Sequence, residues 1–575
     1  MSLRAEKRWV LKPEPEQEAV SRLAAALNVN PVLAHILCQR GITTYEEAFA
    51  FFRPKLEHLH DPFLIRDMDL AVNRLNEALH RQEKVLVYGD YDVDGTTSVA
   101  LVYSFLKPYF ANIEFYIPNR FTEGYGVSSQ GIDWAKENGC TLIIALDCGI
   151  KSADKVAYAA SLGIDFIICD HHLPEDTLPA AVAVLDPKRP DCPYPYKELS
   201  GCGIGFKFMQ AFCLQNSLNP EVLHSYLDLV VVSIAADIVP ITDENRILAY
   251  YGLEVLNKKN RPGLVALKEL AGIKGDMDIS QIVFGFAPRI NAAGRLGDAK
   301  RAVEMLLAET VDDAFAKAEI IDNTNKERRT VDTNITREAL EMIEQDEFLR
   351  SSRSTVLYKE DWAKGVVGIV ASRCIEKYYR PTIILTHSNQ LATGSARSVV
   401  GFDLYSALTE CSDLLEQYGG HMYAAGLTLK PENVEKFRIR FEEVVARKIT
   451  EEQLTPQIEL DAEVPLSAVT PQFYNVLKQM APFGPGNMQP VFVTRDVRDT
   501  GDSRVVGENH LKLSIFQDSR MAEGIGFGLA PYYRPVASGA PFDVAYCIEE
   551  NHFRGTVTLQ LKVKDLKFDN AETSD

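Results

Sequence analysis

No stretch of the 575-residue sequence approaches the roughly 18 uninterrupted apolar residues of a membrane-spanning helix, so no membrane anchor is expected. The first ten residues, Met1 to Val10, hold three cations and no apolar run, so no signal peptide is expected. The ten Cys are scattered without a Cys-x-x-Cys pair, which argues for reduced thiols in a cytoplasmic protein. Cations are in deficit: 61 Lys+Arg stand against 80 Asp+Glu, a net charge of −19. That excludes a generic polycation coating nucleic acid, but not a nucleic-acid substrate, because a local channel can oppose the global charge. Internal repeats and low-complexity runs are also missing. What is there, 46% hydrophobic and 25% charged residues, is globular in composition. At roughly 150 residues per domain, the length suggests about four domains.

Residues 1–80 read as a helical leader, with apolar residues at three- and four-residue spacing in 18–26, 31–40, 45–52 and 70–81. From Lys84 the pattern alternates. Apolar runs at 85–88, 113–117, 142–146, 166–169 and 181–185 are separated by helical periodicity at 98–105, 128–137 and 153–161. Near-continuous apolar strands interleaved with helices predict a parallel sheet covered on both faces. Helical segments dominate 205–270, and 311–347 reads as one long polar-faced helix of about 55 Å, enough to join two lobes. A second α/β unit follows to about residue 450, and short strands then suggest a small barrel. The expected fold class is α/β: two α/β lobes joined by a long helix, then a C-terminal β-barrel. The expected boundaries are a leader 1–80, a catalytic domain 81–308, a connecting helix 309–348, a second lobe 349–450 and a barrel 451–575.

The acids carry the chemistry. Three expected parallel strands each run straight into a carboxylate or an imidazole: Asp90-Tyr-Asp-Val-Asp-Gly95, Asp147-Cys-Gly149 and Asp170-His-His172. Open parallel sheets bind ligands outside the carboxyl ends of their strands. Taken singly, each motif has a plain alternative. The first could be a calcium loop, but position 12 would fall on Leu101 and a strand precedes it. Asp147 could be a helix N-cap, and adjacent His residues could be solvated. Taken together, they point to a metal site. Carboxylates with imidazoles suit Mn²⁺ or Mg²⁺, and more than four candidate ligands suggest two ions sharing a carboxylate. The reaction expected of such a site is metal-assisted phosphodiester hydrolysis. Gly201-Cys-Gly-Ile-Gly205 lacks the spacing of a P-loop, so ATP dependence is not expected.

The ordered motifs resemble the DHH phosphoesterase superfamily and, over essentially the whole chain, its bacterial RecJ branch of single-strand-specific 5′-to-3′ DNA exonucleases. The resemblance implies that Asp90 and Asp92 hold one metal, that Asp94, His171 and Asp237 hold the second, and that Asp147 bridges them. Asp237 comes from a fourth family element, Ala235-Ala-Asp-Ile-Val-Pro240. By the same resemblance His172 faces the scissile phosphate and Asp170 orients the histidines.

Substrate-facing candidates lie in basic, glycine-rich segments. Arg120 and Tyr125, in 118–126, could pair with a phosphate and stack on a base, or belong to a connecting turn. Arg289 and Arg295 lie in a stretch, 288–301, that carries a local +3. Gly394-Ser-Ala-Arg-Ser398 and 419–426 resemble the DHH-associated domain, which makes Ser395 and Arg397 phosphate-binding candidates; backbone N–H groups near Gly419 and Gly420 suit the same task, and His421 could contact phosphate or cap a turn. Ala363 departs from the family, which usually has His there. The last strands resemble an oligonucleotide-binding barrel, although 451–575 carries 11 cations and 18 acids. Strand binding there would need a basic stripe such as Arg495, Arg498, Arg504 and Lys512. Single-stranded DNA is the implied partner, with a DNA helicase and a single-strand-binding protein as family expectations. Recombination and repair are the implied setting. Two rivals stand: a superfamily phosphoesterase acting on short oligonucleotides or cyclic dinucleotides, and a non-catalytic strand-binding scaffold.

Overall fold

Five apolar runs, each bounded by polar turns, become the five parallel strands of one sheet. Their order is Ile113–Tyr116, Val85–Gly89, Leu142–Leu146, Asp165–Cys169, Ala183–Leu185. Side chains alternate across it: Val85, Val87, Ile144 and Ile167 enter one hydrophobic cluster, while Leu86, Tyr88, Ile143 and Ile168 enter another on the opposite face. Burying one such aliphatic side chain is worth about 1.5–3 kcal/mol, so packing on both faces fixes where each strand ends. The computed structural model describes residues 6–258, 261–553 and 555–568. The first residues of the leader, where no signal peptide is expected, and the last seven residues lie outside them. No helix among the described residues is long and apolar enough to cross a membrane, and all ten Cys are buried free thiols.

The sheet belongs to a unit formed by Arg53–Arg329 with Pro482–Met488. Helices Gly201–Gln215, Leu227–Ala236, Asp243–Lys258 and Pro262–Leu270 fill the region expected to be helical. The helix after the first motif begins earlier than its periodicity predicts, at Val93 instead of Ser98, because the side chain of Asp92 caps it through the N–H of Gly95.

The second unit comprises Met1–Phe52, Thr330–Ala481 and Gln489–Asp575. The leader therefore divides at Phe52. The leader also departs from an all-helical reading: Arg8–Leu11 is a strand paired in parallel with Gln457–Leu460. The unit contains a five-stranded mixed sheet in the order Gln417–His421, Ala424–Leu429, Leu391–Arg397, Thr382–Ser388, Thr355–Tyr358. It also contains the barrel. Strands Phe492–Asp499, Phe542–Phe553, Thr556–Phe568, Arg520–Gly526 and His510–Gln517 pair in a ring closed by Arg498 opposite Phe516. The long helix runs from Val311 to Gln345, 35 residues.

Candidate metal centre

The three middle strands deliver their acids to one place. Asp90 follows the strand Val85–Gly89 and is fully buried. Two residues on, Asp92 caps the helix Val93–Leu106, and Asp94 lies in that helix's first turn. This hairpin of strand and helix is so tight that a Cβ on Gly95 would sit 2.4 Å from the carbonyl oxygen of Asp90, which explains the glycine that closes the motif. Asp94 accepts from the N–H groups of Gly201 (2.7 Å) and Cys202 (2.8 Å), at the start of helix Gly201–Gln215, and from the Ser233 hydroxyl (2.7 Å). Asp147 takes a left-handed φ of 59° at the end of its strand, and a Cβ on Gly201 would lie 2.7 Å from its own Cβ. Asp237 ends helix Leu227–Ala236.

His171 is buried among these acids. Its Nε2 lies 3.2 Å from Asp147 Oδ1, 3.6 Å from Asp237 Oδ2 and 3.7 Å from Asp94 Oδ2. Candidate ligand atoms gather in three overlapping groups, each within 4.8 Å: Asp90, Asp92 and Asp147; Asp94, His171 and Asp237; Asp147, His171 and His172. Asp147 links the first group to the third, and His171 links the third to the second.

The electrostatics show what the cluster is short of. Both carboxylate oxygens of Asp90, Asp147 Oδ1 and both ring nitrogens of His171 are buried without a hydrogen-bond partner. Burial and then its neighbour Asp92 push the Asp90 carboxyl up; burial and then Asp94 do the same to Asp92 and Asp147. Asp237 is raised to about 8 by loss of solvent, then by Asp94 and Asp92. Burial pushes His171 down. So many orphaned oxygen atoms and a neutral imidazole fit divalent cations that favour oxygen, Mn²⁺ or Mg²⁺.

Asp170 is different. It accepts from the backbone N–H groups of Ile150 (2.9 Å) and His171 (2.8 Å) and lies 2.7 Å from His172 Nδ1. Burial would raise its carboxyl, but His172 and the Ile150 N–H outweigh that and hold it at about 2. Burial would lower His172, but the Asp170 hydrogen bond outweighs it and carries the imidazole to about 9.

Of the substrate-facing candidates, Arg120 lies over the Tyr91 ring at 5.1 Å, beside the acid motif. The Tyr125 hydroxyl is 3.1 Å from His172 Nε2. Arg295 occupies the last turn of helix Ala287–Leu296, where Gly294 approaches Tyr91 so closely that a Cβ would meet its carbonyl at 2.8 Å. Burial and Asp90 push the Tyr91 phenol up to about 12, against the pull of Arg120 and Arg295. Arg289 is engaged within the protein. Its guanidinium donates to Asp322 (2.9 Å) and to the carbonyls of Gly285 (2.7 Å) and Leu270 (3.3 Å), so it braces the helices.

In the other unit, register assembles the second set. Ser395 pairs with Gly426 and Gly426 with Gly419; Arg397 pairs with Ala424 and Ala424 with His421. Cross-strand partners share a face, so Ser395, Arg397, Gly419 and His421 lie on one side of the sheet. Gly420 has φ 147°, and a Cβ there would sit 2.3 Å from the Ala424 carbonyl. Arg397 donates to the Ser395 hydroxyl (2.6 Å) and the Ala396 carbonyl (2.8 Å). Ala363 packs against the apolar cluster around Trp362 and Val366, while Lys364 is exposed. The basic stripe sought on the barrel is largely paired: Arg495 with Asp543 and Glu463, Lys512 with Glu523, Arg498 with the Gly539 carbonyl.

One acid escaped the sequence reading. Asp186 ends the edge strand Ala183–Leu185, is fully buried, and has no partner for Oδ2. Burial raises its carboxyl to about 7. The signal was present, since a fourth apolar run also ends in an acid.

Strand ends that gather carboxylates and a His pair in this way mark a metal-dependent phosphoesterase. The DHH family, N-terminal domain, matches residues 84–234, the DHHA1 domain matches 352–447 and the RecJ OB domain matches 460–565. The chain is 38% identical to the single-stranded-DNA-specific exonuclease RecJ of Bacillus subtilis over 98% of its length and 71% of that protein. It is 33% identical to the RecJ of Salmonella typhimurium, over 96% of this chain and 98% of that one. Thermus thermophilus RecJ in complex with Mn²⁺ superposes with a TM-score of 0.84 at 27% identity, covering 98% of this chain and 80% of that chain. Its Mg²⁺ complex superposes with a TM-score of 0.78 at 26% identity, over 98% and 79%. The chain belongs to the RecJ family.

Proposed function

We infer that this chain is a metal-dependent exonuclease specific for single-stranded DNA, degrading it 5′ to 3′ to mononucleotides with Mn²⁺ or Mg²⁺. The observation that carries the reading is the linked set of ligand groups, joined through Asp147 and His171, in a chain of this family. Asp90, Asp92 and Asp147 would hold one ion, and Asp94, His171 and Asp237 with Asp147 the other. When bound, such a pair supplies a nucleophilic water at neutral pH and charge compensation for the leaving oxygen. The chain's own residues do the rest. Asp170 fixes the ring of His172, whose Nε2 meets a non-bridging oxygen of the scissile phosphate. Arg120 and Arg295, beside Tyr91, pair with phosphates, and Tyr125 offers a face for a base. Ser395, Arg397 and His421, with the N–H groups of Gly419 and Gly420, hold the strand's backbone.

A cytoplasmic setting in recombination and repair follows from this reading. A helicase that unwinds duplex and a single-strand-binding protein are its expected partners. A time course in Mn²⁺ with 5′-labelled single strands, 3′-labelled single strands and duplex tests it. Immediate release of labelled mononucleotide from the 5′-labelled strand alone is expected. Early release from the 3′ label, or equal attack on duplex, overturns polarity or strand preference.

A further inference from the structure

His172 has no free ring nitrogen in this structure. Nδ1 faces Asp170 at 2.7 Å, and Nε2 faces the hydroxyl of Tyr125 at 3.1 Å, the two rings meeting edge to face at 6.1 Å and 85°. A ring nitrogen makes one hydrogen bond at a time. The Tyr125 hydroxyl therefore sits where the proposed function puts an oxygen of the scissile phosphate.

The segment that carries Tyr125 is anchored on both sides and loose at the tip. Glu123 accepts from the Asn119 N–H (2.7 Å), the Tyr116 hydroxyl (3.1 Å) and the Ser128 hydroxyl (2.5 Å). Beyond the tip, the Gly126 carbonyl accepts from Tyr88 (3.0 Å). Before the Gly126 anchor, Tyr125 follows Gly124, which has φ 90° and no atom within 4 Å of where a Cβ would sit, so the chain can turn there. Its side chain is 58% exposed. Besides His172, its ring meets Tyr91 edge-on at 6.1 Å. The phenol enters neither hydrophobic cluster of this unit; His172 and Tyr91 are the rings it meets.

We propose that Tyr125 is a displaceable cover on His172: its hydroxyl holds the imidazole nitrogen until the phosphate of an incoming strand takes it over, and the freed ring then turns to the bases. The cover rests on the reading that His172 meets substrate phosphate. It makes the binding-competent state a fraction of the free population, which weakens apparent affinity by that fraction. A strand without a phosphate at the cleavage position gains nothing at Nε2 and leaves the cover shut, so the contact selects for a correctly seated strand.

Tyr125→Phe keeps the ring and removes the hydroxyl. Binding is read by fluorescence anisotropy of a 3′-labelled single-stranded oligodeoxynucleotide in EDTA, where nothing is hydrolysed, and KM is read in Mn²⁺. The variant is expected to bind roughly three- to tenfold more tightly, the worth of one net hydrogen bond, with KM lowered in step. In a His172→Ala background the same substitution is expected to change nothing. A hydroxyl that only supports the loop weakens binding when removed and never tightens it. Unchanged or weaker binding by Tyr125→Phe overturns the cover, as does tightening that persists without His172. If His172→Ala itself leaves affinity unchanged, the phosphate reading of His172 fails and the cover falls with it. Failure of wild type to bind single strands at all would instead overturn the proposed function.

Discussion

The two sheets that carry the candidate site residues use opposite ends of β-structure chemistry. In the parallel sheet the residues stand at strand ends, brought together by crossovers, and three of them, Asp90, Asp147 and His171, are left with orphaned polar atoms that a cation would satisfy. In the mixed sheet they stand on a strand face, aligned by register, and Arg397 already has partners in Ser395 and Ala396. The first arrangement stores electrostatic repulsion against the arrival of metal. The second is a finished surface, on which a ligand would need no rearrangement. Loss of a residue from the first should therefore abolish chemistry, whereas loss from the second should weaken binding and spare turnover.

The sharpest way to break that contrast is Asp147→Ala. Hydrolysis in Mn²⁺ should disappear while single-strand binding persists, and Mn²⁺ should no longer raise Tm. Wild type should gain about 2.7 kcal/mol when the ion is a hundredfold above its Kd. Undiminished degradation by the variant would remove Asp147 from the site. In chelator, Asp237 at about 8 and His172 at about 9 both bind protons more readily folded than unfolded. Their contributions to stability are therefore complete at low pH and are lost as pH rises through those values. Metal-free Tm should fall between about pH 6.5 and 9, beyond the range where the depressed His171 titrates in the unfolded chain. Added Mn²⁺ should flatten that slope. A metal-free Tm that rises across the window would contradict the repulsion.

Asp170→Asn tests the same end of the contrast more gently. It leaves the proposed ligands Asp90, Asp92, Asp94, Asp147, His171 and Asp237 in place but loosens His172, so turnover should drop roughly 10- to 100-fold with the Mn²⁺-induced rise in Tm retained. On the mixed sheet, Arg397→Ala should weaken single-strand affinity roughly tenfold, alike for all sequences, and lower the salt slope by about 1. Its kcat at saturating strand should survive; a collapse of kcat would erase the distinction between the sheets. Smallest of all for DNA is Arg289→Ala. Because Arg289 braces Asp322, which keeps Lys326 at 2.8 Å, affinity should hold while stability falls by about 2 kcal/mol, read from denaturant unfolding.

The contrast also decides what could be read from sequence. Strand-end residues are legible because an apolar run followed by Asp is visible along the chain, and three such runs put Asp90, Asp147 and Asp170 in one crevice. Cap chemistry was harder to see: Val93 opens a helix that apolar periodicity places at Ser98, since the first turn is polar and glycine-bearing. Face residues need register, which pairing sets and composition does not reveal; Ser395 and Gly419 meet through Gly426. Charge counting does not reveal a partner that lies far along the chain. The local +3 around Arg289 could not show Asp322, and the barrel's cations could not show Asp543 or Glu523. The strand Arg8–Leu11 was invisible for the same reason.

That strand carries a consequence for biosynthesis. Arg8 hydrogen-bonds to Gln457, 449 residues away, within a parallel pairing that cannot form until the second strand exists. At about 5–20 residues per second, a ribosome needs roughly 20–90 s to cover that interval. For that time residues 8–11 lack the partner that makes them a strand, and the parallel sheet can close well before it. Completion of this pairing is thus timed by translation of everything between the two strands.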